Sequence, residues 1–171
     1  LKDIKKEINI PLQLQNDVKM IHQGCYFTYQ QDSTYYLYIN EVGIGSSYFY
    51  KDEPLYGRSG IMGEIGLISL KGKTINQQIR ECQNQEEFNE ILSLLLSMVF
   101  TMIDPKRLEL SLDLKWRYEE NIIEKVLNEI NQSCFENLYF HEDVSSMLFD
   151  GLVYRGVVYL LKERIERNEK I

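Results

Sequence analysis

Apolar and polar positions along the chain fall into two rhythms, one of period two and one near 3.6. Residues 35–40 (Tyr-Tyr-Leu-Tyr-Ile-Asn) and 45–50 (Gly-Ser-Ser-Tyr-Phe-Tyr) are rich in aromatic side chains and predict two strands. Lys51-Asp52-Glu53 predicts a turn into a third short strand at 54–56, followed by a loop over 57–66. Residues 10–14 alternate apolar and polar with Pro11 near the start, which predicts a short strand. Asn16-Asp17 suits a helix cap, and residues 18–30 carry helical spacing. A long core helix is expected over 85–103, stopped by Asp104-Pro105 because proline cannot continue the ladder. Further on, the pattern predicts a strand at 107–111, a helix at 117–130 opened near Trp116, a strand at 137–140 and a last helix at 145–167. Gly151 and Gly156 in that helix are expected to permit close packing. Strands alternating with helices imply a partly parallel sheet covered by helices.

Composition narrows this picture. The chain has 171 residues, 44% hydrophobic and 26% charged, with a formal net charge of −7. So acidic a chain is poorly suited to grip a phosphate backbone by itself. Cys25, Cys82 and Cys134 are widely spaced and form no zinc-ligand pattern, so no metal is expected and a reduced, cytoplasmic compartment fits. The longest apolar run, 91–103, falls short of the roughly 18 to 20 residues of a membrane span. His22 and His141 are expected to be partly exposed structural residues, and the tyrosines of residues 35–56 to pack on the sheet. The chain opens on Leu1 within a charged, helix-like stretch, so a longer protein with a preceding lobe is expected.

The densest chemistry lies between Val42 and Gly66: a hairpin, a glycine-bearing loop, and Glu64 set between Gly63 and Gly66, where it looks buried. This segment resembles the central signature of the ROK family (repressors, open reading frames and sugar kinases). Four more pieces fall in the family's order: Ile10–Asp17, Tyr38–Tyr50, Ile103–Leu110 and Asp150–Gly156. The resemblance implies an α/β fold, one lobe of the actin-like ATPase (ribonuclease H-like) type. It implies a mixed sheet in β-β-β-α-β-α-β-α order, with residues 1–30 ending a first lobe and crossing over, and 31–171 forming the second. It also implies that Asn16, Asp17 and Glu64 contact a sugar, with Asp17 the catalytic base of any kinase, and that Gly43, Gly45 and Ser46 face phosphate.

The chain also departs from the family. Leu67 stands where the family has a histidine that touches sugar and, in many members, ligates zinc. The cysteine cluster expected after it is missing, so no zinc is expected, and Glu81 and Glu86 are weak substitutes for the sugar glutamate it supports. Glu41 and Val42 replace the Gly-Thr of the phosphate-facing turn. A carboxylate about 4 Å from a phosphate costs a few kcal/mol at an effective dielectric of about 20.

The expected function is therefore the effector-binding and dimerising part of a sugar-responsive transcriptional regulator. Its partners would be a sugar or sugar phosphate, a second copy, and DNA through a helix-turn-helix ahead of Leu1. The alternatives are a degenerate ATP- and Mg-dependent sugar kinase and a ligand-free association lobe.

Overall fold

A computed structural model describes residues 15–29, 32–51, 53–119, 121–130 and 137–168. The strand expected at 10–14 and the charged stretch 1–8 lie outside the described residues. Helix α1 (Asp17–Tyr29) leads into strands β1 (Ser33–Asn40), β2 (Ile44–Tyr50) and β3 (Glu53–Pro54). A 3-10 turn (Ile65–Leu67), a small hairpin of β4 (Ser69–Leu70) and β5 (Lys73–Thr74), and helix α2 (Ile75–Glu81) follow. The chain continues through α3 (Gln85–Met102), β6 (Arg107–Asp113), α4 (Asn121–Glu129), β7 (Leu138–Phe140) and α5 (Val144–Asn168).

The main sheet runs β3-β2-β1-β6-β7. β1, β6 and β7 are parallel, and β2 and β3 join antiparallel. β1 is buried on both faces, which explains its nearly unbroken apolar and aromatic run. Its odd positions, Tyr35, Leu37 and Ile39, face the larger core with Leu108 and Leu110 of β6. Onto that face pack Phe88, Leu92, Leu95, Leu96, Val99 and Phe100 of α3, a stripe of helical spacing. Asn84 caps α3 by accepting from Glu87 N at 2.9 Å, and Pro105 follows its end. The opposite face carries α1 and α5, with Val18, Ile21 and Cys25 of α1 and Val144, Met147 and Leu148 of α5 packed around Tyr36 of β1.

Several local expectations shift. The third strand occupies Glu53–Pro54 rather than 54–56. The hairpin β4–β5 and helix α2 were not expected, because two-residue strands leave no period to read. α2 does carry a readable signal: Thr74 and Gln77 form a reciprocal capping box. α4 starts at Asn121, four residues later than the apolar pattern predicts. Trp116 does not open it; the indole half-buries against the core and stacks on Phe88 at 6.5 Å.

Gly151 meets its expectation. A Cβ there would lie 1.8 Å from Met20 O, so only glycine lets α5 cross α1 this closely, with Gly24 in the facing turn. Gly156 does not, since nothing lies within 4 Å of a Cβ at that position. Residues 144–162 of α5 are also long and apolar enough, by length and composition, to cross a membrane. The sequence pattern hides this because Asp150 and Arg155 interrupt the apolar run.

Candidate functional site

The six residues singled out by the sequence line one cavity of about 220 Å³. Asn16 and Asp17 come from the start of α1, Gly43, Gly45 and Ser46 from the β1–β2 hairpin, and Glu64 from the loop beyond β3. Val18, Tyr38, Asn40 and Asn76 complete much of its wall. A second cavity of about 480 Å³ shares Asp17, Tyr38 and Asn40 with it and runs toward Asp113, Glu142 and Asp143.

Each wall has a local cause. Asn16 caps α1, its Oδ1 accepting from Lys19 N at 3.0 Å, while Asp17 Oδ1 accepts from Val18 N at 2.8 Å. The cap fixes both side chains at the cavity mouth, where both are exposed. The loop bearing Glu64 is tied to the hairpin through Gly63 O, which accepts from Ser46 N at 3.1 Å and Ser46 Oγ at 2.8 Å. Gly63 has φ +98°, and a Cβ on it would strike Ser46 O at 2.1 Å, so glycine is required there. Glu64 is exposed rather than buried: the two glycines constrain the backbone and leave the carboxylate open to solvent. Lys19, one turn into α1, is buried with its ammonium 4.3 Å from the Tyr56 ring centre. Burial lowers its pKa, and the nearby Glu64 carboxylate partly restores it.

The β1–β2 turn is occupied by the protein's own side chains. Asn40 Oδ1 accepts from Val42 N at 2.9 Å and from Gly43 N at 3.0 Å. Asn76 Oδ1, reaching across from α2, accepts from Ile44 N at 2.7 Å. Arg80 donates to Val42 O at 2.7 Å. The backbone donors that such a turn would offer to phosphate are thereby engaged. Among the described residues lining the smaller cavity there is no lysine, arginine or histidine.

Sequence reasoning missed Asn76, Asn40 and Lys19. The capping box at Thr74 would have found α2, but nothing in the sequence says that Asn76 reaches a hairpin 32 residues earlier. Glu41 lines a different cavity, of about 370 Å³, with Arg80, Lys115 and Trp116. The objection to phosphate therefore rests on engaged donors rather than on Glu41. Glu81 pairs with Lys73, Glu86 is exposed in the first turn of α3, and neither lines the site. Leu67 is 60% exposed and supplies no polar group. His22 is fully buried rather than partly exposed, bonded through Nε2 to Thr34 Oγ1 at 2.8 Å and set edge-on to Phe49.

No family model and no curated protein matches the sequence. Solved structures do match the fold. The Lmo2764 protein of Listeria monocytogenes, assigned as an N-acetylmannosamine kinase, is 15% identical with a TM-score of 0.65 over 95% of this chain and 70% of its own. A ROK family protein of Streptococcus pneumoniae, solved with sucrose, is 16% identical with a TM-score of 0.64 over 95% and 70%. The ROK hexokinase of Thermus thermophilus is 14% identical with a TM-score of 0.61 over 88% and 66%. The chain thus has the mixed-sheet, actin-like ATPase fold of these proteins, and spans about two thirds of their length.

Proposed function

We propose that the chain is the effector-binding and self-associating part of a ROK-type, sugar-responsive transcriptional regulator in which phosphoryl transfer has been lost. The observation that carries this reading is the closed phosphate turn. Three consecutive backbone N–H groups, of Val42, Gly43 and Ile44, donate to the side chains of Asn40 and Asn76. A triphosphate seated there would have to displace them without a cation on the cavity wall to compensate. Nucleotide and Mg²⁺ are accordingly not needed in this reading.

Sugar binding asks for different groups. Adjacent hydroxyls are held well by carboxylates and amides, because charge-assisted hydrogen bonds exceed neutral ones. Asp17 and Glu64 would accept from hydroxyls, while the amide nitrogen of Asn16 would orient the ring; the buried Ser46 hydroxyl donates to Gly63 O and holds the Glu64 loop in place. Gly43 and Gly45 leave room for the side chains of Asn76 and Val18, which a Cβ would strike at 2.7 and 2.5 Å. DNA contact would belong to a helix-turn-helix elsewhere in a longer, cytoplasmic protein that acts as a homodimer.

Calorimetric titration of the chain with hexoses, N-acetylhexosamines, their 6-phosphates and ATP–Mg tests this. An unphosphorylated sugar should bind, Glu64→Gln should weaken it about tenfold (about 1.4 kcal/mol), and ATP should give no heat. Binding of ATP but of no sugar overturns the reading. A degenerate sugar kinase is the second reading, favoured by the placement of the Asp17 carboxylate at the cavity mouth. It requires ATP-dependent sugar phosphorylation that Asp17→Asn abolishes.

A further inference from the structure

We infer that the α1/α5 face of the sheet holds a metal-ion site built from Cys25, Glu109 and His141, suited to a thiophilic divalent ion of the zinc type. The three residues come from α1, the middle of β6 and the residue after β7. Their Sγ, carboxylate oxygen and ring nitrogen all lie within 4.8 Å of one another. Thiolate, carboxylate and imidazole are the donor types that four-coordinate zinc takes, and a thiolate selects it over magnesium or calcium.

The donors are already held in place. Glu109 is wholly buried, with Oε2 2.9 Å from His141 Nε2 and Oε1 accepting from Arg107 Nε at 2.6 Å. An ion about 2.0–2.1 Å from nitrogen and oxygen and about 2.3 Å from sulfur would set neighbouring donors roughly 3.3–3.6 Å apart, so the Glu109–His141 pair must open slightly while any wider pair closes in. Arg107 is the outer partner that orients the carboxylate, as such sites commonly have. The backbone of His141 is fixed by its N–H donating to Leu110 O at 3.0 Å. Met147 Sδ lies 3.0 Å from Cys25 Sγ and offers a soft fourth donor. The His141 side chain is 16% exposed and gives the ion a way in. On binding, the Cys25 thiol releases its proton to solvent and the sulfur bonds the ion as thiolate. None of these residues lines the cavity assigned to sugar, so the two assignments stand or fall separately.

Without an ion, the same residues form a hydrogen-bonded network in which Arg107 and His141 share Glu109, and cobalt distinguishes the two. The metal-free full chain is titrated with Co²⁺ while visible and near-ultraviolet absorption and thermal unfolding are followed. The expected result is one Co²⁺ per chain, a thiolate-to-cobalt charge-transfer band and a raised Tm. The band should vanish in Cys25→Ser, weaken and shift in His141→Asn, and persist in Cys82→Ser. If Cys25→Ser fails to fold, the partly exposed His141→Asn decides. A folded chain with no charge-transfer band, or a band unchanged in Cys25→Ser or His141→Asn, overturns the assignment.

Discussion

At the scale of single residues, burial gives several side chains properties that their neighbours in sequence do not announce. His22 is held at a pKa of about 3, first by burial. The Glu109 charge opposes this, and the charges of Arg107 and His141 reinforce it. Between that value and the ordinary one near 6.5, the unfolded chain binds a proton that the folded chain refuses. Stability therefore rises with pH across this window and is lost as pH falls through it, by about 1.4 kcal/mol per pH unit for one proton. Urea unfolding between pH 7 and 4.5 should show this slope, and His22→Gln should flatten it. Glu109 adds a second loss at lower pH. Burial works to raise its pKa, but His141, Cys25, His22 and Arg107 outweigh that and hold it at about 2. The stability it contributes is present above the ordinary value near 4.5 and disappears as pH falls toward 2. Asn76 acts locally on the hairpin: Asn76→Ala leaves Ile44 N–H without its acceptor and should lower unfolding stability by about 0.5–1.5 kcal/mol, read from the urea midpoint.

At the scale of elements, long periodic segments declared themselves and short ones did not. α3 carries six buried apolar residues at helical spacing and an asparagine cap, so its period and its start agree. β4, β5 and the 3-10 turn have two or three residues each, and their positions follow from hydrogen bonds to neighbours rather than from pattern. Glycines within one helix separate in the same way. Gly151→Ala drives a Cβ against the Met20 carbonyl, so α1 and α5 must part, which should cost about 1–3 kcal/mol. Gly156→Ala meets open space and should stabilise the helix by about 0.5–1 kcal/mol. Opposite shifts in Tm for the two variants are the check, and shifts of the same sign would refute the crossing described here.

At the scale of the whole molecule, the sheet brings the start of α1, the β1–β2 turn and the Glu64 loop to one end of its strands and leaves the α1/α5 face rich in buried polar groups. Lys19, His22, Arg107 and Glu109 are all buried, which is costly unless each is partnered. The net charge of −7 also has a consequence at this scale. The chain alone should show no retention on duplex DNA in a gel-shift titration at physiological salt. Retention there would shift the proposed DNA contact from a separate helix-turn-helix to this fold.

The sequence by itself determined the alternation of strands and helices and the mixed sheet, while the six residues that meet at the smaller cavity were marked by the resemblance of its motifs to a known family. Periodicity and turn residues are local, and the hairpin and the Glu64 loop lie close along the chain. Only the tertiary structure decided that Asn76 and Arg80 hold the β1–β2 turn, that Glu41 lines another cavity, and that Glu64 is exposed. Only it could bring the donor atoms of Cys25, Glu109 and His141 within 4.8 Å of one another. These contacts join residues that can be more than a hundred positions apart, and their geometry is set by strand register and helix crossing, which no local pattern encodes.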